Sequence, residues 1–146
     1  MSSIIQFEYN LIDNPPNQEN YSDNIFLFNN NFTDLQKGID TFNSEIEWDD
    51  MWTINIAKDR LQNNWKLLVL IIDNKICGWN WLDYNNKHTH NLYVSKKYSN
   101  KGWGLKLKKS MLFLAQELKI DKLKCKVDDW NLNSIRVQEK CGYTRM

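Results

Sequence analysis

The sequence predicts a mixed sheet of α/β or α+β type, on three observations. Two β-rich runs, Lys66 to Asp73 and Lys75 to Tyr84, meet at the turn Asp73-Asn74 and read as an antiparallel hairpin. Further on, a short strand, a long amphipathic helix and a second strand follow one another between His88 and Val127, the order of a parallel crossover. With 146 residues and 42% hydrophobic side chains, the chain suits one domain, 1–146, built on a single core.

In chain order, Ile4, Ile5 and Phe7 suggest a first strand, and Asn14-Pro15-Pro16-Asn17 breaks it with a loop. Residues 32–43 and 48–64 carry helical spacing, the second through Trp48, Met51, Trp52, Ile54 or Ile56, and Leu61. After the hairpin and the polar turn Asn85-Asn86-Lys87 comes the strand His88 to Val94, whose even positions His88, His90, Leu92 and Val94 would share one face. From Gly102, Leu107, Met111, Leu114 or Ala115, and Leu118 recur at helical spacing. Lys122 to Val127 alternates Leu123, Cys125 and Val127 against Lys, as a half-buried strand does. A final helix runs from an Asn cap at Asn131 or Asn133 to Lys140 and stops at Gly142.

Composition excludes several classes. The longest aliphatic run, Leu67 to Ile72, is far short of the roughly 18 residues of a membrane span, and no secretory signal opens the chain. Cys77, Cys125 and Cys141 form an odd set without CxxC spacing, which points to reduced thiols and a cytoplasmic protein. The net charge of +1 hides a split: residues 1–73 hold 12 acidic and 4 basic side chains, a net of −8, and residues 74–146 hold 6 and 15, a net of +9. Such a split lets the second half face an anion.

The stretch Tyr93 to Leu105 concentrates the chemistry. A strand ends, a loop turns, and a helix begins on Gly102 and Gly104, with Lys96, Lys97 and Lys101 around it. Unpaired amides and the positive dipole end of a helix favour a phosphate or pyrophosphate. A two-Gly loop alone is more often a tight turn. A Rossmann dinucleotide site needs a third Gly in an early βαβ unit, which is not the pattern here.

Val94 followed eight residues later by Gly-x-Gly, then a long helix, a strand, and Asn131-Leu132-Asn133-Ser134-Ile135-Arg136-Val137-Gln138-Glu139-Lys140-Cys141-Gly142-Tyr143, resembles the GNAT acyltransferase superfamily over about residues 66–143. The resemblance implies a mostly antiparallel central sheet with helices on both faces. It also implies acetyl-CoA (coenzyme A) as cofactor, with the pyrophosphate on Ser99, Asn100, Lys101, Gly102, Trp103, Gly104 and Leu105. Ser99 stands where the family has Gln or Arg. The pantetheine arm would lie between strands ending at Val94 and Val127, contacted by Leu92, Tyr93, Val94, Asn131 and Ser134. The implied function is N-acetyl transfer to a primary amine of a small acceptor such as an amino sugar or polyamine.

His88 falls where family members often place a Glu base, and an imidazole is chemically apt for that role; His90 shares its strand face. The bland reading has one His lining the sheet and the other in solvent. No further ligands have spacing for a metal. The family's thiolate-protonating Tyr falls at Gln138, which cannot be a general acid; water, Tyr143 or another Tyr remain, or a CoA-binding module without turnover. Glu45, Glu47, Asp49 and Asp50 could attract a cationic amine or could simply open a helix. Few residues follow Gly142, so the family's last strands are expected to be short, missing, removed, or supplied by a partner chain such as the second copy of a homodimer. Seven Trp and the Lys-rich half also allow a single-stranded nucleic-acid binder, which the acidic first half disfavours.

Overall fold

The computed structural model describes residues 3–17, 19–46 and 51–146. Strands β1 (Ile4–Asn10) and β2 (Ile25–Leu27) precede helices α1 (Phe32–Glu45) and α2 (Ile54–Gln62). Then come β3 (Trp65–Ile72), β4 (Lys75–Asp83), β5 (His88–Val94), α3 (Trp103–Glu117), β6 (Lys122–Asp128), α4 (Leu132–Cys141) and β7 (Thr144–Arg145). One sheet orders the strands β2-β3-β4-β5-β6-β1-β7. Every pairing is antiparallel except β5 with β6, the two strands joined through α3, so the predicted crossover is present.

Alternation along the strands explains the two layers. Leu67 and Val69 of β3 join Trp79 and Trp81 of β4 under Leu35 and Ile39 of α1 and Ala57 of α2. Leu68 and Leu70 point the other way, into a larger core with Phe7, Leu107, Met111, Ala115 and Ile135. A period of two puts alternate residues on opposite faces, and covering both faces gives a three-layer sandwich. The hairpin turns through Asp73 (φ 53°) and Asn74 (φ 63°), consecutive left-handed residues whose twist suits a two-residue connection.

Two expectations change. The second helix begins at Ile54, capped by Thr53, whose hydroxyl accepts from the Ile56 amide at 3.3 Å. Met51 and Trp52 precede it outside the helix, where the Asn43 side chain clasps both the N–H (2.9 Å) and the C=O (2.8 Å) of Trp52. Strand β2, pairing Ile25↔Leu70 to Leu27↔Leu68, was not predicted; three residues are too few to show alternation. Past Gly142, Thr144 and Arg145 form a short strand, pairing with Glu8 and Phe7.

Candidate functional site

The site grows from an irregularity between β4 and β5. Trp79 pairs with Tyr93 and Trp81 with His90, so Asn80 faces two residues, Asn91 and Leu92, in a β-bulge. Asn91 takes φ 54°, and the Asn80 amide donates to the His90 carbonyl at 3.1 Å. The extra residue shifts the alternation. His90 packs on Trp65 and Tyr93 on Trp79, on the α1/α2 side, whereas Leu92 and Val94 join the α3/α4 core. The expectation that His88, His90, Leu92 and Val94 share one face is therefore corrected.

On its other edge β5 meets β6 only at His88↔Lys124, reinforced by the Lys124 N–H donating to the Lys87 carbonyl at 3.0 Å. Beyond that pair the two parallel strands part. The gap is a cleft of about 280 Å³ whose walls include Asn80, Leu92, Val127 and Ser134, with Thr89 and Lys108 deeper. Asn80 is buried and its Oδ1 has no hydrogen-bond partner.

The glycine loop follows β5, and its Gly104 faces Leu92 of the cleft wall. A single 3-10 turn (Lys96–Tyr98) leads to Ser99, whose hydroxyl donates to the Lys96 carbonyl at 2.9 Å. Asn100 (φ 60°) and Gly102 (φ 86°) then turn the chain into α3, a conformation that Gly adopts without steric cost. The first intrahelical bond is from Lys106 N–H to Gly102 C=O, 3.1 Å, so the earlier first-turn amides have no intrahelical acceptor. A Cβ built at Gly104 meets nothing nearer than 3.9 Å, Leu92 Cδ2 and Val137 Cγ2 being the closest atoms. Lys96, Lys97 and Lys101 are exposed around the loop, while Trp103 is half-buried with Lys106 Nζ 4.4 Å from its ring centroid. Asn131 Oδ1 caps α4 by accepting from Ser134 N–H at 3.2 Å, which positions Ser134 on the cleft wall.

The histidines lie at the base of the split. Their rings are 4.5 Å apart, and His90 also stacks 5.0 Å from Trp65. The guanidinium of Arg60 lies 4.1 Å from the same Trp65 ring and 4.6 Å from Trp52, and its Nη1 donates to Asn91 Oδ1 at 2.8 Å. Burial first, then the charges of His88 and Arg60, pushes His90 down to about 4. Burial also lowers His88, helped by Lys126 and Lys108; His88 Nδ1 lies 3.0 Å from the Thr89 carbonyl. Both rings are thus neutral near pH 7. Besides the cleft, they line an open depression of about 310 Å³ with Trp65, Asp83 and Lys126.

Other expected residues fall elsewhere. Tyr93 turns its side chain away from the cleft and donates to Glu45 Oε1 at 2.8 Å. Glu45 also accepts from the Lys96 N–H at 3.0 Å, so this carboxylate ties the end of α1 to the end of β5. Glu47, Asp49 and Asp50 lie outside the described residues. Gln138 is buried and accepts from the Cys125 thiol at 3.3 Å. All three cysteines are free and buried, and Trp79 and Trp81 are core residues.

Asn80, Arg60 and Lys108 were not anticipated. Lys108 had a visible signal, since it shares the helical spacing of Met111, Leu112 and Ala115 and so lies on the buried stripe of α3. Asn80, flanked by Trp79 and Trp81, carried none, because only the bulge on the neighbouring strand gives it meaning.

A family model described as the acetyltransferase (GNAT) family matches residues 31–143. A comparison with curated proteins returns no match. Among solved structures, a GCN5-related N-acetyltransferase from Sphaerobacter thermophilus is similar at a TM-score of 0.75 and 13% identity, over 99% of this chain and 49% of that one. A Drosophila protein is similar at 0.75 and 12%, over 98% and 47%. This chain thus spans about half the length of those two. An aminoglycoside acetyltransferase from an uncultured soil metagenomic sample, solved with sisomicin, is similar at 0.66 and 18%, over 81% and 86%.

Proposed function

Because the chain belongs to the acetyltransferase (GNAT) family, we propose that it moves the acetyl group of acetyl-CoA directly to a primary amine of a small acceptor. The observation that carries this is the parting of β5 and β6 beside the open first turn of α3. The residues present fit a CoA ester. First-turn amides with exposed lysines suit a pyrophosphate; the space over Gly104 admits close approach; and the unpartnered Asn80 Oδ1 awaits a donor, as a pantetheine amide would be.

When bound, acetyl-CoA supplies an acyl group activated as a thioester. The amides from Asn100 to Leu105 would hold its phosphates, and Lys97 and Lys101 would add charge. Leu92, Val94 and Val127 would flank the arm, with Tyr93 contributing backbone only and Asn131 acting through the Ser134 position it sets. His88 is the better base of the pair, because its basicity is less depressed than that of His90. It can accept a proton from an amine entering at the depression on the α1/α2 side. Holding amine and thioester together in that geometry supplies most of the acceleration. The soil-metagenome neighbour, an aminoglycoside acetyltransferase, favours a small amine acceptor.

A second reading, a CoA-binding module without turnover, is favoured by Gln138, since an amide bonded to Cys125 cannot protonate a thiolate. Calorimetry and a thiol-release screen separate the two. Parent protein should bind acetyl-CoA, and Gly104→Val should weaken binding by about 10-fold or more because its methyls enter the space toward Leu92 and Val137. An unchanged affinity would remove the loop from the cofactor site. Amine-dependent thiol release supports transfer, and binding without release over a broad set of amines, aminoglycosides included, supports the module.

A further inference from the structure

Lys108 is only 1% exposed, and nothing described so far requires an ammonium in the core. Its Nζ donates to Thr89 Oγ1 at 2.8 Å and lies 4.5 Å from the centroid of the Tyr143 ring. No carboxylate among the described residues meets it. The titratable groups that face it are His88 from β5, Cys125 from β6, Cys141 from α4, and Tyr143; burial raises both thiols and the phenol, so none supplies an anion. An ammonium without a counter-charge is costly to bury. Lys108 and Thr89 nevertheless line the cleft between β5 and β6, together with Gln138. Such a cation is best satisfied when negative charge develops in the cleft.

Resting on the acetyl-transfer reading above, we propose that Lys108 provides, through the Thr89 hydroxyl, the proton taken up by the leaving thiolate. Thr89 Oγ1 accepts from Lys108, and its own hydrogen, which the Cys125 thiol and the Tyr143 phenol also approach, is available to a sulfur in the cleft that Thr89 lines. As the amine nitrogen bonds to the acyl carbon, the C–S bond breaks and its electron pair stays on sulfur. Sulfur takes the Thr89 proton, Thr89 takes one from Lys108, and Lys108 is left neutral. The amine nitrogen passes its proton to His88 and thence to solvent, from which Lys108 is recharged. Starting from an ammonium acceptor, the cycle releases one proton per acetyl group. Burial suits Lys108 to the task by lowering it, since an ordinary lysine, near about 10.4, is a weaker acid than a thiol near about 8.5.

The test follows Lys108 itself. Lysine side-chain NMR on the intact chain, titrated with CoA bound and with desulfo-CoA bound, should place the Lys108 midpoint at least about half a pH unit higher when the sulfur is present. A lysine with only a packing role would titrate alike in both complexes. With an amine found by thiol release, Lys108→Met and Thr89→Val should each lower kcat by about 100-fold or more with little change in the KM for acetyl-CoA. Lys108→Met should also abolish the alkaline limb of the pH–rate profile. Its Tm should hold or rise, because an apolar chain of similar length replaces a buried charge. Equal Lys108 midpoints with both ligands, or a Lys108→Met variant that keeps the alkaline limb and kcat, would overturn the relay while leaving the cofactor site intact. Failure of the parent to bind either CoA form would overturn the cofactor reading and the relay together.

Discussion

His90 occupies a place where a proton is disfavoured, wedged between His88 and Trp65 with Arg60 close by. Its folded value of about 4 lies below an ordinary imidazole near 6.5, so between those values the unfolded chain binds more protons than the folded one. Stability therefore falls as pH drops from about 6.5 toward about 4, and is unaffected above that window. Half-burial reduces the effect by solvent screening, leaving about 1–2 kcal/mol. His90→Phe, which keeps the stack on Trp65, should flatten the dependence of Tm on pH across this window; an unchanged slope would assign the sensitivity to other groups. A catalytic His88 likewise places the acidic limb of acetyl transfer below about 6.5, and His88→Ala should remove it. The two histidines were legible in the sequence because they are the only ones and stand on one short strand. The node of Lys108, Thr89 and Asn80 was not, because three separate elements have to pack before it exists.

Between elements, the bulge in β5 decides which residues can cooperate. Without it, a strict period of two would have kept Leu92 and Val94 on the side of the histidines. The bulge sends them to the other face, leaving His88 and His90 at the open depression beside Trp65 and the apolar pair with the α3/α4 core. Asn91 makes this affordable in conformational terms, since Asn tolerates a positive φ, and its Oδ1 holds Arg60 on the tryptophans. Asn91→Val should therefore cost about 1–3 kcal/mol by urea unfolding, whereas Asn91→Gly should cost less. Equal effects of the two would mean that lost contacts, rather than backbone strain, set the cost. Helices, hairpin and crossover were legible because their apolar periods run over many residues, as at Leu107, Met111 and Leu114. The start of α2 and the shift in β5 depend on single polar residues, Asn43 and Asn91, whose side chains override the period locally.

At the scale of the whole molecule, the charge split follows the chain and also the site. The basic second half contributes the loop, where Lys97 and Lys101 reach over the Tyr98 ring at 5.5 and 5.9 Å, close to the open amides of α3. In the first half the acidic run has one described member, Glu45, already held by Tyr93 and Lys96. The loop lysines are exposed, so salt screens their attraction for an anion within about 8–10 Å near physiological strength. Raising the salt from about 50 to about 500 mM should weaken acetyl-CoA binding by several-fold. Changing Lys97 and Lys101 together to Gln should weaken binding at low salt, flatten the salt dependence, and leave Tm within about 2 °C, because exposed side chains contribute little to the fold. Desulfo-CoA should show the same salt response as CoA, since the phosphates and not the sulfur feel this field. If the double variant keeps the parent's salt slope, the attraction comes from the rest of the basic half, and the loop binds through its backbone amides alone.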